Sequence, residues 1–364
     1  MACCRAYLLI HKASTSRDSK QLTPMKQMRI SPIAAFATAL LVWQADAFVT
    51  QSPSEQRFQR HQLSVASLSE MGEQDKSYVL SQEEVNPLIT LGNAPKEKII
   101  NGFGLRALAV SLVTGPIWML AMFLVEQASK VNPEWDPNHA IFDGTGKVWA
   151  KVWLGLTDST PTISGEVQAL KEGQGPCLYV ANHASWLDIP VLCTVLDPVF
   201  KFIAKNELEK VPCIGQQLAG GDHILIDRDD RRSQFRCFKK GVSWLKNGVP
   251  LMAFPEGMRS PDGKLMNFKG GVFSMATKTQ VPIVPISVGH THAVMPGNAL
   301  FPVQAGRGKL HIHVHKPITT TGKSEEELGE EVRAALLSEM PFDQHPEETT
   351  MSAKQVEEKE LATV

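Results

Sequence analysis

The sequence predicts an α/β fold, with a mixed, mostly parallel sheet flanked by helices, preceded by an N-terminal pair of membrane-associated helices. Two observations support this prediction. From Gly175 onward, short apolar runs alternate with stretches of helical periodicity, which is typical of strands covered by helices. Ahead of them, the segment 107–125 has 19 residues and no charged side chain, which is long enough to cross a bilayer.

The elements of the α/β part follow from the apolar runs and from the glycines and polar residues that separate them. Strands are predicted at residues 178–181, 200–204, 223–226, 250–254, 281–288 and 310–315, and helices at residues 232–247, 272–279 and 325–340. Pro282 and Pro285 lie inside one of these runs, and a proline cannot donate a hydrogen bond to a neighbouring strand. That run is therefore predicted to form an edge or a wall of the sheet and not a central strand.

The two segments before the α/β part are predicted to associate with a membrane. In the segment 107–125, Gly115–Pro116 would kink a helix, so this segment either spans the bilayer or enters it and returns. The segment 139–156 carries apolar residues at helical spacing, with Lys147 and Lys151 on the other side, as in a helix that lies on a membrane surface. The alternatives are a buried core helix for the first segment and an ordinary amphipathic helix for the second.

The first 85 residues are predicted to be targeting sequence outside the folded domain. Residues 1–47 contain a basic start, a short apolar run and the small-x-small pattern Ala45-Asp46-Ala47, which indicates a secretory signal peptide. Residues 48–85 are rich in Ser and Gln, like a disordered transit peptide. Together they resemble the two-part presequence that delivers proteins to secondary plastids; the alternative destination is the endoplasmic reticulum. The charged segment 346–364 is predicted to be a disordered tail.

Composition and cysteine spacing exclude several classes of protein. Hydrophobic residues make up 43% of the 364 residues, so the chain can form a sizeable core. The net charge of −1 gives no general reason to expect a nucleic-acid partner. The six cysteines form no CxxC pair, so neither a zinc site nor a disulfide framework is predicted. His311, His313 and His315 alternate along one strand face, where we expect a solvated surface and no metal.

The first candidate for chemistry is the segment Asn182-His-Ala-Ser-Trp-Leu-Asp188, which follows a predicted strand. Ser185 and Asp188 form an S-x-x-D helix-start signal, which places the helix start at Ser185 and His183 in the turn before it. Inside one helix, residues five apart would point roughly 140° apart, whereas a histidine in the turn can fold back onto Asp188. A carboxylate bonded to one imidazole nitrogen leaves the other as a base. The alternative is that Asp188 only caps the helix and His183 is a satisfied turn residue.

The second candidate is the glycine-containing loop that follows the fourth predicted strand. Gly257 lets a ligand approach the backbone closely, and Arg259 offers a planar fork that matches a phosphate. Glu256 is predicted to orient this arginine or to receive a hydrogen bond from the substrate. Arg228 and Lys205, each near the end of a predicted strand, are further candidate ligands for an anion. The alternative is a solvated surface turn with an ordinary Glu–Arg pair.

A further block is the apolar run with two prolines. Because it is predicted to form an edge or a wall, its residues are expected to line an apolar pocket. The residues assigned to this acyl pocket are Val281, Pro282, Ile283 and Pro285.

These blocks, in this order, resemble the glycerolipid acyltransferase family, specifically the 1-acylglycerol-3-phosphate (lysophosphatidic acid) acyltransferases of plastids and bacteria. The matching positions are Asn182, His183 and Asp188 for N-H-x-x-x-x-D, Gly221 and residues 226–228 for the I-D-R motif, Glu256, Gly257 and Arg259 for E-G-T-R, and residues 281–286 for the proline-rich motif. Met258 stands where E-G-T-R has threonine. The resemblance assigns residues 157–345 to an acyltransferase domain and residues 100–156 to its membrane-associated helices.

The resemblance implies transfer of an acyl group from an acyl thioester to the sn-2 hydroxyl of 1-acylglycerol-3-phosphate, giving phosphatidic acid. It implies that His183 is the general base and Asp188 its partner. The implied substrate-binding residues are Asn182, Lys205, Arg228, Glu256, Gly257 and Arg259. The implied partners are a membrane lipid and either acyl-CoA or acyl carrier protein as co-substrate, with no cofactor and no metal.

Three alternatives to this function stay open at the level of sequence. The acceptor could be glycerol-3-phosphate or another lysophospholipid. The protein could bind lipid at a membrane without catalysis, which the intact His183 and Asp188 argue against. A serine or cysteine lipid hydrolase is disfavoured because the sequence has no G-x-S-x-G elbow.

Overall fold

The computed structural model describes residues 82–92, 97–167, 175–196 and 200–346. The strands are β1 (Ile89–Leu91), β2 (Lys98–Ile100), β3 (Thr162–Gly165), β4 (Leu178–Ala181), β5 (Lys201–Lys205), β6 (Ile224–Ile226), β7 (Leu251–Ala253), β8 (Ile283–Gly289) and β9 (His311–Val314). The helices are α1 (Gln82–Val85), α2 (Gly102–Val131), α3 (Ala140–Leu156), α4 (Asp188–Leu192), α5 (Ile214–Gly220), α6 (Arg231–Lys246), α7 (Gly271–Thr279), α8 (Thr291–Val294) and α9 (Glu325–Glu339).

Five parallel strands form the main part of the large sheet. Its strand order is β3-β9-β8-β4-β7-β5-β6, and the strands from β8 to β6 all run in one direction. β9 is antiparallel to β8, and β3 is parallel to β9. Strands covered on both faces read as continuous apolar runs, and every residue of β4, β7 and β8 is buried. The predicted α/β fold with a mixed, mostly parallel sheet is confirmed.

Helices cover both faces of this sheet. Side chains alternate between the faces of a strand, so Tyr179 and Ala181 of β4 join the core that contains residues of α2, α3 and α4. Leu178 and Val180 of the same strand join the opposite core, which contains residues of α6, α7 and α9. The helix pair α2–α3 therefore packs on one face of the sheet, away from α6, α7 and α9.

Several helices begin where the sequence supplies a cap. Asp230 accepts hydrogen bonds from two backbone N–H groups at the start of α6. Ser324 and Glu327 form a reciprocal capping box at the start of α9. The side chain of Asn101 caps α2. Because these caps are local, the predicted helices at 232–247 and 325–340 agree with α6 and α9 to within one residue at each end.

The prediction that residues 281–288 form an edge or a wall of the sheet is wrong. β8 lies between β9 and β4, and all of its residues are buried. Pro285 is tolerated because the pairing of β8 with β9 begins one residue later, at Ile286. The carbonyl of Pro285 still accepts a hydrogen bond from the backbone N–H of His315 at 3.0 Å. Pro282 directly precedes the first residue of the strand.

Tryptophans fasten α2 and α3 together. The ring of Trp149 stacks on that of Trp118 with 4.4 Å between centroids, and Trp153 lies 6.0 Å further along the same stack. The indole N–H of Trp149 donates to Thr114 at 3.1 Å, and that of Trp153 donates to Ser111 at 2.8 Å. These bonds satisfy the polar ends of the buried indole of Trp153 and the partly buried indole of Trp149, so both tryptophans act as packing residues between the two helices.

The outer side of this helix pair exposes apolar side chains. α2 has 30 residues and continues through Pro116 without a break. Among the described residues, α2 is the helix whose length and apolar composition would allow it to cross a membrane. Only 28% of its most apolar 18-residue window is buried. The large exposed apolar residues are Leu105, Val113, Ile117, Leu120, Phe123, Leu124 and Val131 on α2, and Ile141, Val148, Val152 and Leu156 on α3. Lys147 does not lie among these exposed residues of α3. It is buried, and its ammonium donates to the backbone carbonyl of Leu196 at 2.9 Å.

The last residues of the predicted transit-like segment form a helix. Residues 82–85, which were assigned to the transit-like segment, form α1. Val85 is buried, and its carbonyl accepts a hydrogen bond from the side-chain amide of Asn101 at 3.1 Å. The predicted signal peptide at 1–47, the rest of the transit-like segment, and the tail beyond Pro346 lie outside the described residues.

A buried ion pair joins α3 to the sheet. Lys201 of β5 is fully buried, and its ammonium donates to Asp143 of α3 at 2.7 Å. The remaining two protons of this ammonium reach the carbonyls of Asn138 at 2.7 Å and Gly221 at 2.6 Å. Asp143 also contacts His223 at 3.1 Å. Because every donor of Lys201 is used, its charge is accommodated without water.

We expect Lys201→Ala to lower the free energy of unfolding by about 3–5 kcal/mol, because Asp143 would stay buried without its cationic partner. The matched control is Lys323→Ala, which removes a more exposed pair with Glu331 and is expected to cost less than about 1 kcal/mol. Chemical denaturation in detergent, followed by tryptophan fluorescence, measures both values. Equal losses in the two variants would contradict this account of the pair.

Candidate active site

The loops at the carboxyl ends of the parallel strands bring the candidate residues to one edge of the sheet. His183 follows β4 and Glu256 follows β7, while Lys205 ends β5 and Arg228 lies just beyond β6. Thr291 follows β8 at the same edge. Neighbouring parallel strands end on the same side, which is where α/β folds expose reactive groups. The fold thus collects residues that are far apart in the sequence.

His183 and Asp188 are in direct contact. The Nδ1 atom of His183 lies 2.7 Å from Oδ2 of Asp188. The imidazole is 13% exposed and the carboxylate is fully buried. A carboxylate only accepts hydrogen bonds, so Nδ1 carries the proton and Nε2 is left as the basic nitrogen. His183 reaches Asp188 from the preceding loop, as the five-residue spacing requires.

The predicted start of the following helix is wrong by three residues. α4 begins at Asp188 and not at Ser185. The reason is that the Asp188 carboxylate draws the loop around itself: its Oδ2 accepts the backbone N–H groups of Ala184 at 2.8 Å and Ser185 at 2.9 Å. The other carboxylate oxygen, Oδ1, accepts the hydroxyl of Thr291 at 2.5 Å.

The backbone of His183 is fixed on the loop after β7. Its N–H donates to Oε1 of Glu256 at 2.6 Å, and its carbonyl accepts the backbone N–H of Ser260 at 2.7 Å. The imidazole ring stacks on Phe254, with 3.9 Å between centroids and an angle of 13° between planes. Main chain and ring are therefore both constrained, so the basic nitrogen has a defined direction.

Burial sets the protonation of this site. It lowers the pKa of His183 below its ordinary value, while the hydrogen bond and charge of Asp188 act in the opposite direction. The positive charges of Arg259 and Arg228 lower the pKa of His183 further. Burial also raises the pKa of Glu256 to about 8, against the effect of the N–H groups that it accepts. His183 is thus mainly neutral near pH 7 and can accept a proton.

Cations gather beside the His183–Asp188 pair. The guanidinium of Arg259 lies 5.7 Å from the ring centroid of Trp186. Lys98 of β2 is close enough to Arg259 that this charge, together with the larger effect of burial, lowers the pKa of Lys98 to about 8. Arg228 and Lys205 lie partly buried at the same edge of the sheet. Lys205 also pairs with Glu207 at 3.1 Å. Guanidinium and ammonium groups such as these are the usual ligands of an anionic group such as a phosphate.

Gly257 gives this loop its shape. Its φ is +75°, a conformation that side-chain-bearing residues rarely adopt. A Cβ atom added there would lie 2.9 Å from the side chain of Lys269. The loop between Glu256 and Arg259 therefore depends on a glycine at this position.

Two residues predicted to bind substrate, Asn182 and Glu256, are buried and bonded to backbone, so their contact with substrate stays a prediction. Asn182 is 2% exposed; its side-chain amide donates to the carbonyl of Val288 and accepts the N–H of the same residue, both at 2.8 Å. Glu256 is 3% exposed, and its oxygens accept the N–H groups of His183 at 2.6 Å and Met266 at 2.9 Å. Both side chains hold loops together, and these bonds occupy the Glu256 oxygens that were expected to orient Arg259.

The residues predicted to form an acyl pocket lie away from His183. In the register of β4 with β8, Ile283 lies beside Leu178, at the opposite end of the strand from the Asn182–Val288 contact. Val281 and Ile283 belong to the core that includes α9. The residues concerned are Val281, Pro282, Ile283 and Pro285. Their placement gives them a packing role and does not support a contact with an acyl chain.

The alternating histidines of β9 form a solvated face only in part, because His315 is buried while His311 and His313 are partly exposed. Each has a protein partner, and the pairs are His315 with Ser287 (2.8 Å), His313 with Ser164 (3.0 Å) and His311 with the carbonyl of Glu339 (3.2 Å). In the described part of the chain, no group of three or more His, Cys, Asp or Glu residues is arranged to hold a metal ion.

Sequence reasoning missed Thr291 and Lys98. Thr291 is separated from Asp188 by 103 positions, so no local pattern connects the two. The available signal is that Thr291 comes directly after a buried strand, as the other residues at this edge do. Lys98 gave no such signal, because its strand β2 pairs with β1 outside the large sheet.

Known proteins are similar to part of this chain in sequence and in fold. The Acyltransferase family model matches residues 161–289. A 1-acyl-sn-glycerol-3-phosphate acyltransferase of Chlamydomonas reinhardtii is 40% identical over 46% of this chain and 49% of its own. A chloroplastic 1-acyl-sn-glycerol-3-phosphate acyltransferase of Brassica napus is 35% identical over 52% of this chain and 55% of its own. The crystal structure of the 1-acyl-sn-glycerophosphate acyltransferase of Thermotoga maritima has a TM-score of 0.51 and 26% identity, over 64% of this chain and 94% of that chain.

The chain spans about half the length of these two curated relatives. The residues matched by the family model include the His183–Asp188 pair and the loop from Glu256 to Arg259. The bacterial structure extends the likeness to the arrangement of the sheet and its helices. Residues 161–289 of this chain, which carry the candidate active site, are therefore similar to the Acyltransferase family.

Proposed function

We propose that this protein transfers an acyl group from an acyl thioester to the sn-2 hydroxyl of 1-acylglycerol-3-phosphate, forming phosphatidic acid. The observation that carries this proposal is the His183–Asp188 pair, joined at 2.7 Å, beside the positive charges of Arg259 and Arg228. A base next to an anion site suits an acceptor that has both a hydroxyl and a phosphate. The activity named for the relatives described above supports the same acceptor.

In this proposal His183 acts on the acceptor hydroxyl. Its Nε2 takes the hydroxyl proton while the oxygen attacks the thioester carbonyl, so that a C–O bond forms and the C–S bond then breaks. The thiolate of the carrier leaves and receives the proton from the imidazolium. Asp188 stabilises the imidazolium while it exists and keeps Nδ1 protonated throughout. The reaction needs no acyl-enzyme intermediate.

The phosphate of the acceptor is assigned to Arg259, with Arg228 and Lys205 as further cations at the same edge. Arg259 is the central ligand in this proposal because its guanidinium is held over Trp186 and can form two parallel hydrogen bonds to one phosphate. Binding the phosphate would place the neighbouring glycerol hydroxyl against His183.

The acyl donor is acyl-CoA or acyl carrier protein, and both carriers are anionic. α6 suits such a carrier, because it contains six basic residues and no acidic one. These residues are Arg231, Arg232, Arg236, Lys239, Lys240 and Lys246. The start of α6 follows Arg228 by three residues, so the first turn of this helix lies close in sequence to the candidate active site.

We further propose that the protein works at a plastid membrane. The exposed apolar side of α2 and α3 is suited to contact lipid, and a chloroplastic relative supports the plastid. The endoplasmic reticulum is the alternative location. A membrane position fits the proposed acceptor and product, because both carry acyl chains.

We expect His183→Ala to lower acyl transfer to 1-acylglycerol-3-phosphate by about 10²- to 10⁴-fold, which is the usual contribution of a general base. Purified protein would be assayed with labelled donor and a panel of acceptors that includes glycerol-3-phosphate and lysophosphatidylcholine. His345→Ala, which changes a partly buried histidine bonded to Met340, is the control and should retain activity. Undiminished transfer by His183→Ala contradicts the mechanism, and preferential use of another acceptor contradicts the substrate. Release of free fatty acid without an acceptor would indicate a hydrolase.

The acid limb of the pH profile of kcat/KM is expected below pH 6.5, because burial lowers the pKa of His183 and protonation removes the base. Asp188 opposes this shift, so Asp188→Asn should move the limb to still lower pH as well as reduce the rate. Initial rates between pH 4.5 and 8, at a subsaturating concentration of acceptor, measure the acid limb of the unmodified protein and that of Asp188→Asn. A limb above pH 7 in the unmodified protein would argue against His183 as the base.

We expect Arg259→Ala to raise the KM for 1-acylglycerol-3-phosphate by about 10- to 100-fold, the usual worth of hydrogen bonds to a charged group. The KM for the acyl donor should change less than about twofold, because the donor does not use this contact. Arg307→Ala is the control, since Arg307 is an exposed arginine paired with Asp158. An equal rise in both KM values would show that Arg259 does not bind the acceptor phosphate.

A further inference from the structure

The two oxygens of Asp188 are held by different parts of the fold. Oδ2 accepts three donors from its own loop: the Nδ1–H of His183 and the N–H groups of Ala184 and Ser185. Oδ1 accepts the hydroxyl of Thr291, at 2.5 Å. The carboxyl torsion of aspartate is broad. The bond from Thr291 to Oδ1 therefore adds to the three bonds at Oδ2 in opposing rotation of the carboxylate plane about its Cβ–Cγ bond.

Thr291 is itself fixed in place. It is fully buried and begins α8, directly after His290, whose φ of +60° turns the chain sharply out of β8. The backbone N–H of His290 donates to Oε1 of Gln344 at 2.8 Å. At the other end of α8, the carbonyl of Met295 accepts the hydroxyl of Ser185 at 2.7 Å. The segment that carries Thr291 is therefore fastened on both sides.

Gln344 connects this segment to the loop that follows Arg259. Gln344 is fully buried, and its side-chain amide donates to the backbone carbonyl of Gly263 at 3.2 Å. The backbone carbonyl of Gln344 accepts the backbone N–H of Leu265 at 2.9 Å. Both Thr291 and Gln344 lie beyond residue 289, where the match to the family model ends. The one donor to Oδ1 of Asp188 thus comes from a part of the chain outside that match, whereas the three donors to Oδ2 lie inside it.

We propose that Thr291 is a positioning residue that acts through Asp188 to hold the imidazole of His183 in the orientation for proton transfer. This inference rests on the proposed function, in which His183 is the base. Thr291 contacts neither the substrate nor the imidazole in this account. Its hydroxyl donates to Oδ1, so Oδ2 stays directed at Nδ1 and Nε2 stays directed at the acceptor.

Replacement of Thr291 separates this role from packing. Thr291→Val keeps the branched shape and removes the donor, and we expect kcat to fall about 10- to 100-fold with both KM values changed less than about twofold. Thr291→Ser keeps the hydroxyl and should restore kcat to within about threefold of the unmodified protein. Thr320→Val is the matched control, because Thr320 is a buried threonine whose hydroxyl donates to the carbonyl of Val281 at 3.2 Å. This control should retain kcat.

A double-mutant cycle tests whether Thr291 works through Asp188. If it does, adding Thr291→Val to Asp188→Ala lowers kcat no further, whereas independent effects would multiply. The inference is overturned by full activity of Thr291→Val, by failure of Thr291→Ser to restore kcat, or by multiplied losses in the double variant. The melting temperature of Thr291→Val, compared with that of Thr320→Val, shows whether this variant folds. If it does not, Thr291→Ala takes its place as the variant without the hydroxyl, and Thr291→Ser remains the variant that keeps it.

These outcomes are distinct from failure of the proposed function. If His183→Ala retains full acyl transfer, the base assignment is wrong and the inference falls with it. If His183→Ala abolishes transfer while Thr291→Val retains full activity, only the role of Thr291 is wrong.

Discussion

The buried carboxylate of Asp188 is the constraint on which the rest of the site depends. A charge removed from water is costly unless donors surround it, and Asp188 is fully buried. Four donors meet this requirement, three from its own loop and one from Thr291. To supply them, the chain must fold back from β4 and the turn after β8 must come close. The direction of the imidazole follows from this arrangement.

The loops of the site are held mainly through their backbones. Glu256 and Ser260 fix the two main-chain polar groups of His183, and Asn182 joins its loop to the end of β8 through Val288. Buried main-chain groups must find partners, so these contacts stabilise the fold and orient the site at once. Glu256 tolerates its environment because burial raises its pKa to about 8. A residue within a functional motif can therefore serve the chemistry without facing the substrate.

The sheet separates two kinds of surface. The helix pair, with its exposed apolar residues, lies on one face, and the basic helix α6 lies on the other. The edge that carries the candidate active site lies between these faces, which suits the proposed reaction between a membrane lipid and a carrier from the aqueous phase. The buried Lys201–Asp143 pair ties α3 to β5, so the helix pair is fixed relative to the residues at that edge. We infer that a lipid held at the helix pair would meet the site in a defined orientation.

The sequence by itself determined the class of fold, most strands and helices, and the pairing of His183 with Asp188, because these depend on local periodicity, caps and a five-residue spacing. It also placed Arg259 and Arg228 at strand ends, where parallel strands converge. Only the tertiary structure decided that β8 is a central strand, that Asn182 and Glu256 are bonded to backbone, and that Thr291 completes the support of Asp188. These features depend on which strands are neighbours and on which polar groups are buried together, and such contacts join residues that share no local pattern.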